Sequence, residues 1–217
     1  MNDFINTFSE ISELLQNGKA KEIVSAIEKA LSEGVAPADI LEKGLLTGMA
    51  IIGRKFKRER IFVPEVLIAS RAMNYAITTL KPVLINSGLG LFGKVVICTV
   101  KGDLHDIGKN LVKMMIESRG IEVLDLGVDC PCEKIVNAIR NSNAKVLCLS
   151  ALITTTMLGQ KDAINALKTA GLRDKVKVMV GGAPITQRFA DEIGADVYAP
   201  DATKAAEICR GFFLKGH

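Results

Sequence analysis

The chain has 217 residues, 48% of them hydrophobic and 24% charged, enough for one large or two small domains with real cores. That apolar content excludes a disordered chain, and no segment approaches the ~20 apolar residues of a membrane span. Lys+Arg 28 against Asp+Glu 24 leaves a mild +4, and Trp 0 with Tyr 2 leaves few stacking platforms, so nothing points to nucleic acid.

Helical spacing opens the chain. The start MNDFINTFSEISELL lacks the basic end and apolar stretch of a secretory signal. Ile5, Phe8, Ile11, Leu14 and Leu15 predict a first helix, ended by Gly18. Ile23, Val24, Ile27, Ala30 and Leu31 predict a second, closed by Gly34. Pro37 opens a third, lined by Ile40, Leu41, Leu45, Met49 and Ile52. Pro64 opens a fourth, through Val66, Leu67, Met73, Ile77 and Leu80. Four helices with short connections over residues 1–86 predict a bundle. The run Arg54-Lys55-Phe56-Lys57-Arg58-Glu59-Arg60 reads as a solvated helix C-terminus; docking of an acidic partner is the other use of such a patch.

The character changes across Asn86–Gly93, a glycine-rich stretch that predicts a linker at 87–93. Residues 94–217 then alternate strands with amphipathic helices. Strands are predicted at Val95–Val100, Ile121–Leu126, Val146–Leu149, Val176–Val180 and Val197–Ala199. Helices are predicted at Ile107–Ser118, through Ile135, Val136 and Ile139, near Asp162–Ala170, at Gln187–Ile193 and at Thr203–Phe213. The pattern predicts an α/β domain, a doubly wound five-stranded parallel sheet with helices on both faces. Its common flavodoxin-like order, 2-1-3-4-5, is assumed; ligands then bind beyond the strand C-termini at the switch between strands 1 and 3. The five cysteines sit mostly in apolar runs and fit reduced thiols in the cytoplasm.

In that order the loops after strands 1, 3 and 4 become neighbours. The first, Lys101-Gly102-Asp103-Leu104-His105-Asp106-Ile107-Gly108-Lys109-Asn110, holds the one internal histidine. Asp103 can reach one ring nitrogen of His105, fixing its tautomer as behind a metal-bound histidine; a loop histidine capping the next helix has the same spacing. Gly102 and Gly108 let backbone approach something bulky. The second loop, Ser150-Ala151-Leu152-Ile153-Thr154-Thr155-Thr156-Met157, offers uncharged hydroxyls, suited to a polar ligand or phosphodiester, although one Thr can serve as a helix cap. The third, Gly181-Gly182-Ala183-Pro184, lets backbone lie against a flat ligand. One histidine and scattered cysteines, Cys130-Pro131-Cys132 included, make no zinc set. A single histidine ligand suits a metal whose other positions are already filled, as in a macrocycle.

Asp103-x-His105-x-x-Gly108, Ser150-x-Leu152 and Gly181-Gly182, in that order behind a helical bundle, resemble the three-part signature of cobalamin-binding domains. The stretch Lys101–Asn110 is similar to the loop of methionine synthase and corrinoid methyl carriers. Ser150–Lys161 and the Gly181-Gly182-Ala183-Pro184 turn are closest to corrinoid proteins of methylamine and methanol methyltransferase systems. The resemblance implies a Rossmann-like cobalamin-binding domain behind a four-helix cap. It implies His105 as the axial cobalt ligand, with Asp103 and Thr156 as its relay. It also implies cofactor contacts from Gly102, Leu104, Asp106, Gly108, Ser150, Leu152, Thr154, Gly181, Gly182 and Ala202, with the displaced nucleotide tail passing Gly102, Ser150, Gly181-Gly182 and Ala202. Phe62, Val66, Leu67, Ala69 or Met73 would shield the upper face, though most of them also suit plain bundle core, and 87–93 would act as hinge.

The implied role is a methyl carrier on cobalamin or a related corrinoid. One partner would be a substrate-specific methyltransferase holding a methylamine, methanol, betaine or methyl-ether donor. A second would methylate tetrahydrofolate or coenzyme M, and a reductive activator would be a third; neither nucleic acid nor membrane is implied. A cobalamin-dependent sensor is the alternative, but the two domains leave no room for an output module. A mutase subunit lacks the helical cap, and a phosphoacceptor receiver needs an acidic cluster that strand 1 does not carry.

Overall fold

The expected stripes form a helical core. A computed structural model describes residues 4–86 and 93–214, so most of the predicted linker lies outside the described residues. The chain divides into two compact units, one helical and one α/β. In the first, α1 (Ile5–Gln16), α2 (Ala20–Ser32) and α5 (Val63–Asn86) flank a third helix built from α3 (Pro37–Asp39), a π-helical segment (Ile40–Leu46) and α4 (Thr47–Lys57). Ile11, Leu15, Ile23, Ile27, Ile40, Leu45, Met49, Val66, Met73 and Leu80 are all fully buried, whereas Ile5 is exposed and stands outside the predicted stripe.

The π-helical segment departs from the regular helix that periodicity predicts, and it packs against α1. A Cβ at Gly44 would lie 3.0 Å from Ile11 Cγ2, and one at Gly48 would lie 2.8 Å from Leu15 Cδ2, so the helices meet backbone to side chain. The α5 helix is capped by Glu65, whose Oε2 accepts from Phe62 N–H at 3.1 Å, and it continues past Leu80 across Pro82. Among the predicted shielding residues, Val66, Ala69 and Met73 are core, while Phe62 and Leu67 are exposed. Arg54, Lys55 and Lys57 occupy the last turn of α4 and face solvent, where cations complement the helix dipole.

The second unit runs β1 (Lys94–Thr99), α6 (Ile107–Glu117), β2 (Glu122–Asp125), α7 (Cys132–Ser142), β3 (Val146–Ser150), α8 (Leu158–Thr169), a 3-10 turn (Arg173–Lys175), β4 (Lys177–Gly181), α9 (Gln187–Ile193), β5 (Val197–Tyr198) and α10 (Ala202–Leu214). All pairings are parallel and the order is β2-β1-β3-β4-β5, as expected. β1 and β3 read as continuous apolar runs because both their faces are covered. Several element ends differ from their predicted positions by one residue. Val100 lies just past β1, donating its N–H to Ser150 O at 3.0 Å and bridging Cys130, and α8 begins at Leu158, earlier than its apolar spacing suggests. Thr99 stands opposite Ser150, and Ser150 opposite Gly181, so the three chemically unusual loops leave the sheet side by side. No helix among the described residues is long and apolar enough to cross a membrane.

Candidate functional site

The loop after β1 turns back at once. Gly102 takes φ +83, a conformation that favours glycine, and its N–H donates to Asp129 Oδ1 at 2.7 Å. Asp129 N–H in turn donates to Asp103 O at 2.9 Å. Asp103 is 1% exposed. Its Oδ1 accepts from His105 N–H at 3.0 Å and lies 2.7 Å from His105 Nδ1. Its Oδ2 accepts from Leu152 N–H and from Thr156 Oγ1, both at 2.7 Å. The Thr156 hydroxyl also lies 3.0 Å from Ile153 O, but it has one proton and the charged, closer acceptor takes it. Burial alone would push the Asp103 carboxyl up; hydrogen bonds from Thr156, Leu152 and His105 outweigh it and hold the group well below the usual carboxylate range.

Thr99 Oγ1 donates to His105 O at 2.8 Å, fixing the backbone on its other side. The His105 side chain is 51% exposed. With a carboxylate on Nδ1 the proton stays there, and Nε2 is the nitrogen with a free lone pair. The loops after β1 and β3 and the helix starts that follow them carry Leu104, Ile107, Leu152, Ile153 and Leu158, all exposed although apolar, Ile107 at 82%. Large apolar side chains left open at the ends of adjacent strands suit a binding surface.

The remaining predicted residues fall into four groups. Asp106 is exposed and accepts from Asn110 Nδ2 at 3.0 Å in the first turn of α6, and a Cβ at Gly108 would meet nothing within 4 Å. Ser150 ends β3 half-buried, and Thr154 is exposed beyond it. Gly182 is the tightest point: at φ +131, a Cβ would sit 1.8 Å from Ala151 O, so the Gly181-Gly182 turn lies directly on the backbone after β3. Ala202 opens α10 beyond the edge strand β5 and is 8% exposed, two strands from β3. We expect Gly182→Ala to cost at least about 2 kcal/mol in urea unfolding, from backbone strain and overlap together.

Two features escaped the sequence reading. Asp129 supports both Gly102 and Asp103 from the loop after β2, a strand next to β1; its place in the assumed sheet order is the signal that could have found it. Lys109, 3% exposed, donates to Asp125 Oδ1 and Oδ2 at 2.9 and 2.7 Å and to Asn110 Oδ1 at 2.7 Å, tying the first turn of α6 to the end of β2.

A family described as B12 binding domain matches residues 93–210, and a second of the same description matches 7–81. A dimethylamine corrinoid protein of Methanosarcina barkeri is 45% identical over 197 residues, 90% of this chain and 92% of that protein. The chain belongs to the B12-binding corrinoid proteins. Trimethylamine corrinoid protein 1 of Methanosarcina acetivorans is 42% identical over 189 residues, 86% of this chain and 88% of that protein. A methanol:cobalamin methyltransferase complex from Methanosarcina barkeri matches in structure with TM-score 0.83 and 30% identity, covering 100% of this chain and 82% of that one. The molecule is thus a methyltransferase-associated corrinoid protein with a Rossmann-like B12-binding domain and an N-terminal helical domain, and its cofactor is cobalamin or a related corrinoid.

The residues fit that group. The cofactor is a broad ring around a metal, with a polar tail, and the chain would have to offer it a nitrogen donor, apolar surface and backbone or hydroxyl contacts. His105 offers a half-exposed ring nitrogen and the loops after β1 and β3 offer exposed apolar side chains, while the Gly181-Gly182 turn packs against backbone at Ala151 and Ala199 and leaves its main chain without side-chain cover. Among the described residues no group of three His, Cys, Asp or Glu could hold a bare metal ion.

Proposed function

We propose that this corrinoid protein carries a methyl group between two methyltransferases, the first holding a methylamine-type donor and the second delivering to coenzyme M or tetrahydrofolate, with a reductive activator as third partner. One observation carries the reading: a half-exposed imidazole whose Nδ1 is held 2.7 Å from a fully buried carboxylate, at the switch point of the sheet. When bound, the corrinoid supplies a cobalt centre that attacks a methyl donor and yields the methyl to an acceptor.

The chain's own residues hold and orient. His105 would hold the cobalt through Nε2, Asp103 would keep the ring proton on Nδ1, and Thr156 anchors Asp103 from the loop after β3. Gly102, Leu104, Asp106, Gly108, Ser150, Leu152, Thr154, Gly181 and Gly182 border the ring edge and the displaced tail. Ala202 stands at the far end of that border and offers little surface. The methylamine preference is supported by dimethylamine and trimethylamine relatives at 45% and 42% identity, against 30% for the methanol complex. Free, mostly buried thiols suit the cytoplasm.

The test is donor use by the reduced, corrinoid-loaded chain, alone and with candidate methyltransferases. Free dimethylamine, trimethylamine, methanol, betaine and a methoxyarene should stay intact with the chain alone, and a methylamine should be demethylated once a methyltransferase specific for it is added. Demethylation of any free donor at enzymatic rates without a second protein would make the chain a methyltransferase itself and sink the carrier reading.

A further inference from the structure

Gln160 is the third residue of α8 and is 0% exposed, although a glutamine in a first helical turn ordinarily faces water. Its Nε2 donates to Leu149 O on β3 and to Gly181 O on β4, each at 3.0 Å. Gly181 O also accepts from Ala151 N–H at 3.2 Å. The side-chain amide therefore spans the last rung of the β3–β4 ladder, where Ser150 faces Gly181. Two carbonyl oxygens can be met only by the NH2 end, so the amide's orientation is set by its partners.

That orientation leaves Oε1 buried without a hydrogen-bond partner. An unpaired buried acceptor weakens a fold, and methionine would fill similar space without it. What the amide provides is position. Its own place is fixed: a Cβ at the neighbouring Gly159 would lie 3.0 Å from Val100 Cβ, so α8 sits tight on the end of β1. The Gly181-Gly182 turn is thereby held to β3 by the amide on one side and by the close Gly182–Ala151 backbone approach on the other. The His105 loop is held by Thr99 and Asp129 and, through Asp103, by Leu152 and Thr156 of the loop after β3.

We propose that Gln160 is a positioning residue for the corrinoid's nucleotide tail: by bridging Leu149 and Gly181 it fixes the separation of the strand ends along which the tail runs, and so favours corrinoids that carry one. This rests on the reading that the tail borders Ser150 and Gly181-Gly182. Because the Gln160 side chain bonds Leu149 and Gly181 and none of the residues that hold the His105 loop, losing its amide should disturb tail binding more than ligation by His105.

The test titrates the full chain with hydroxocobalamin and with diaquocobinamide, which lacks the tail, following the visible spectrum. In Gln160→Met the affinity for hydroxocobalamin should fall at least about tenfold and that for cobinamide by less than about twofold, with histidine ligation kept in both. Gln160→Glu should lose more, since its carboxylate would face two carbonyl oxygens. Equal losses for the two corrinoids, or no loss for either, overturn the proposal. In the wild type, which needs no variant to fold, the Gln160 side-chain amide resonance should shift with hydroxocobalamin and not with cobinamide; equal shifts overturn it as well. A wild type that binds cobinamide as tightly as hydroxocobalamin would instead remove the tail reading beneath it.

Discussion

His105→Ala should bind hydroxocobalamin without the spectrum of histidine ligation, and with affinity reduced by at least the ~10–100-fold that loss of a mere supporting partner costs a metal site. The expectation follows from the count of available donors. Among the described residues His105 is the lone histidine, and no cluster of His, Cys, Asp or Glu could take its place. The fold should survive, because the ring is half exposed and contributes little core, and its main-chain N–H and C=O remain tied to Asp103 and Thr99. Thermal unfolding of the ligand-free variant should therefore stay close to wild type while ligation is lost. A variant whose spectrum and affinity match wild type would show that another group occupies the axial position.

Much of the molecule was legible because its signals are local or periodic. Apolar stripes at helical spacing mark the first unit and alternating apolar runs and amphipathic stretches the second, and once the sheet takes its commonest order, the loops holding Asp103–His105, Ser150–Thr156 and Gly181-Gly182 must come together. What escaped depends on partners distant in sequence. Gln160 reads as an ordinary polar residue in a helix, and its burial is decided by carbonyls 11 and 21 positions away. Asp129 supports a glycine 27 positions back, and the buried Lys109–Asp125 pair joins a helix start to a strand end. The π-helical segment at Ile40–Leu46 is likewise invisible in spacing, which does not distinguish it from a regular helical turn. Ala202 is placed by the resemblance alone; in the structure it opens α10 just past the end of β5 and is largely buried.

Asp103→Asn should both weaken corrinoid binding, by about 10–100-fold, and destabilise the ligand-free fold by about 2 kcal/mol. The aspartate accepts four hydrogen bonds, two on each oxygen: His105 N–H and Nδ1–H on one, Leu152 N–H and Thr156 Oγ1 on the other. An asparagine has one carbonyl oxygen, so its NH2 end must face one of these pairs. Turned toward Leu152 and Thr156, it meets a main-chain N–H with another donor; the hydroxyl can rotate to accept, the N–H cannot. Turned toward His105, it again opposes an N–H and now donates to Nδ1, which shifts the ring proton to Nε2 and removes the lone pair that a metal needs. Either way a buried main-chain donor goes unpaired, and in the second the ligand nitrogen is blocked as well. The pH dependence has a definite sign. A carboxyl whose folded pKa lies below its ordinary value contributes stability that is fully present above the ordinary carboxylate range and is lost as pH falls through the folded value. The gap between wild type and Asp103→Asn should thus be constant from neutral pH down to about 5 and narrow below about 4. Urea unfolding of both proteins across that range measures it, and a gap that stayed level into the acid, or widened there, would mean that Asp103 is not held as a buried carboxylate behind His105.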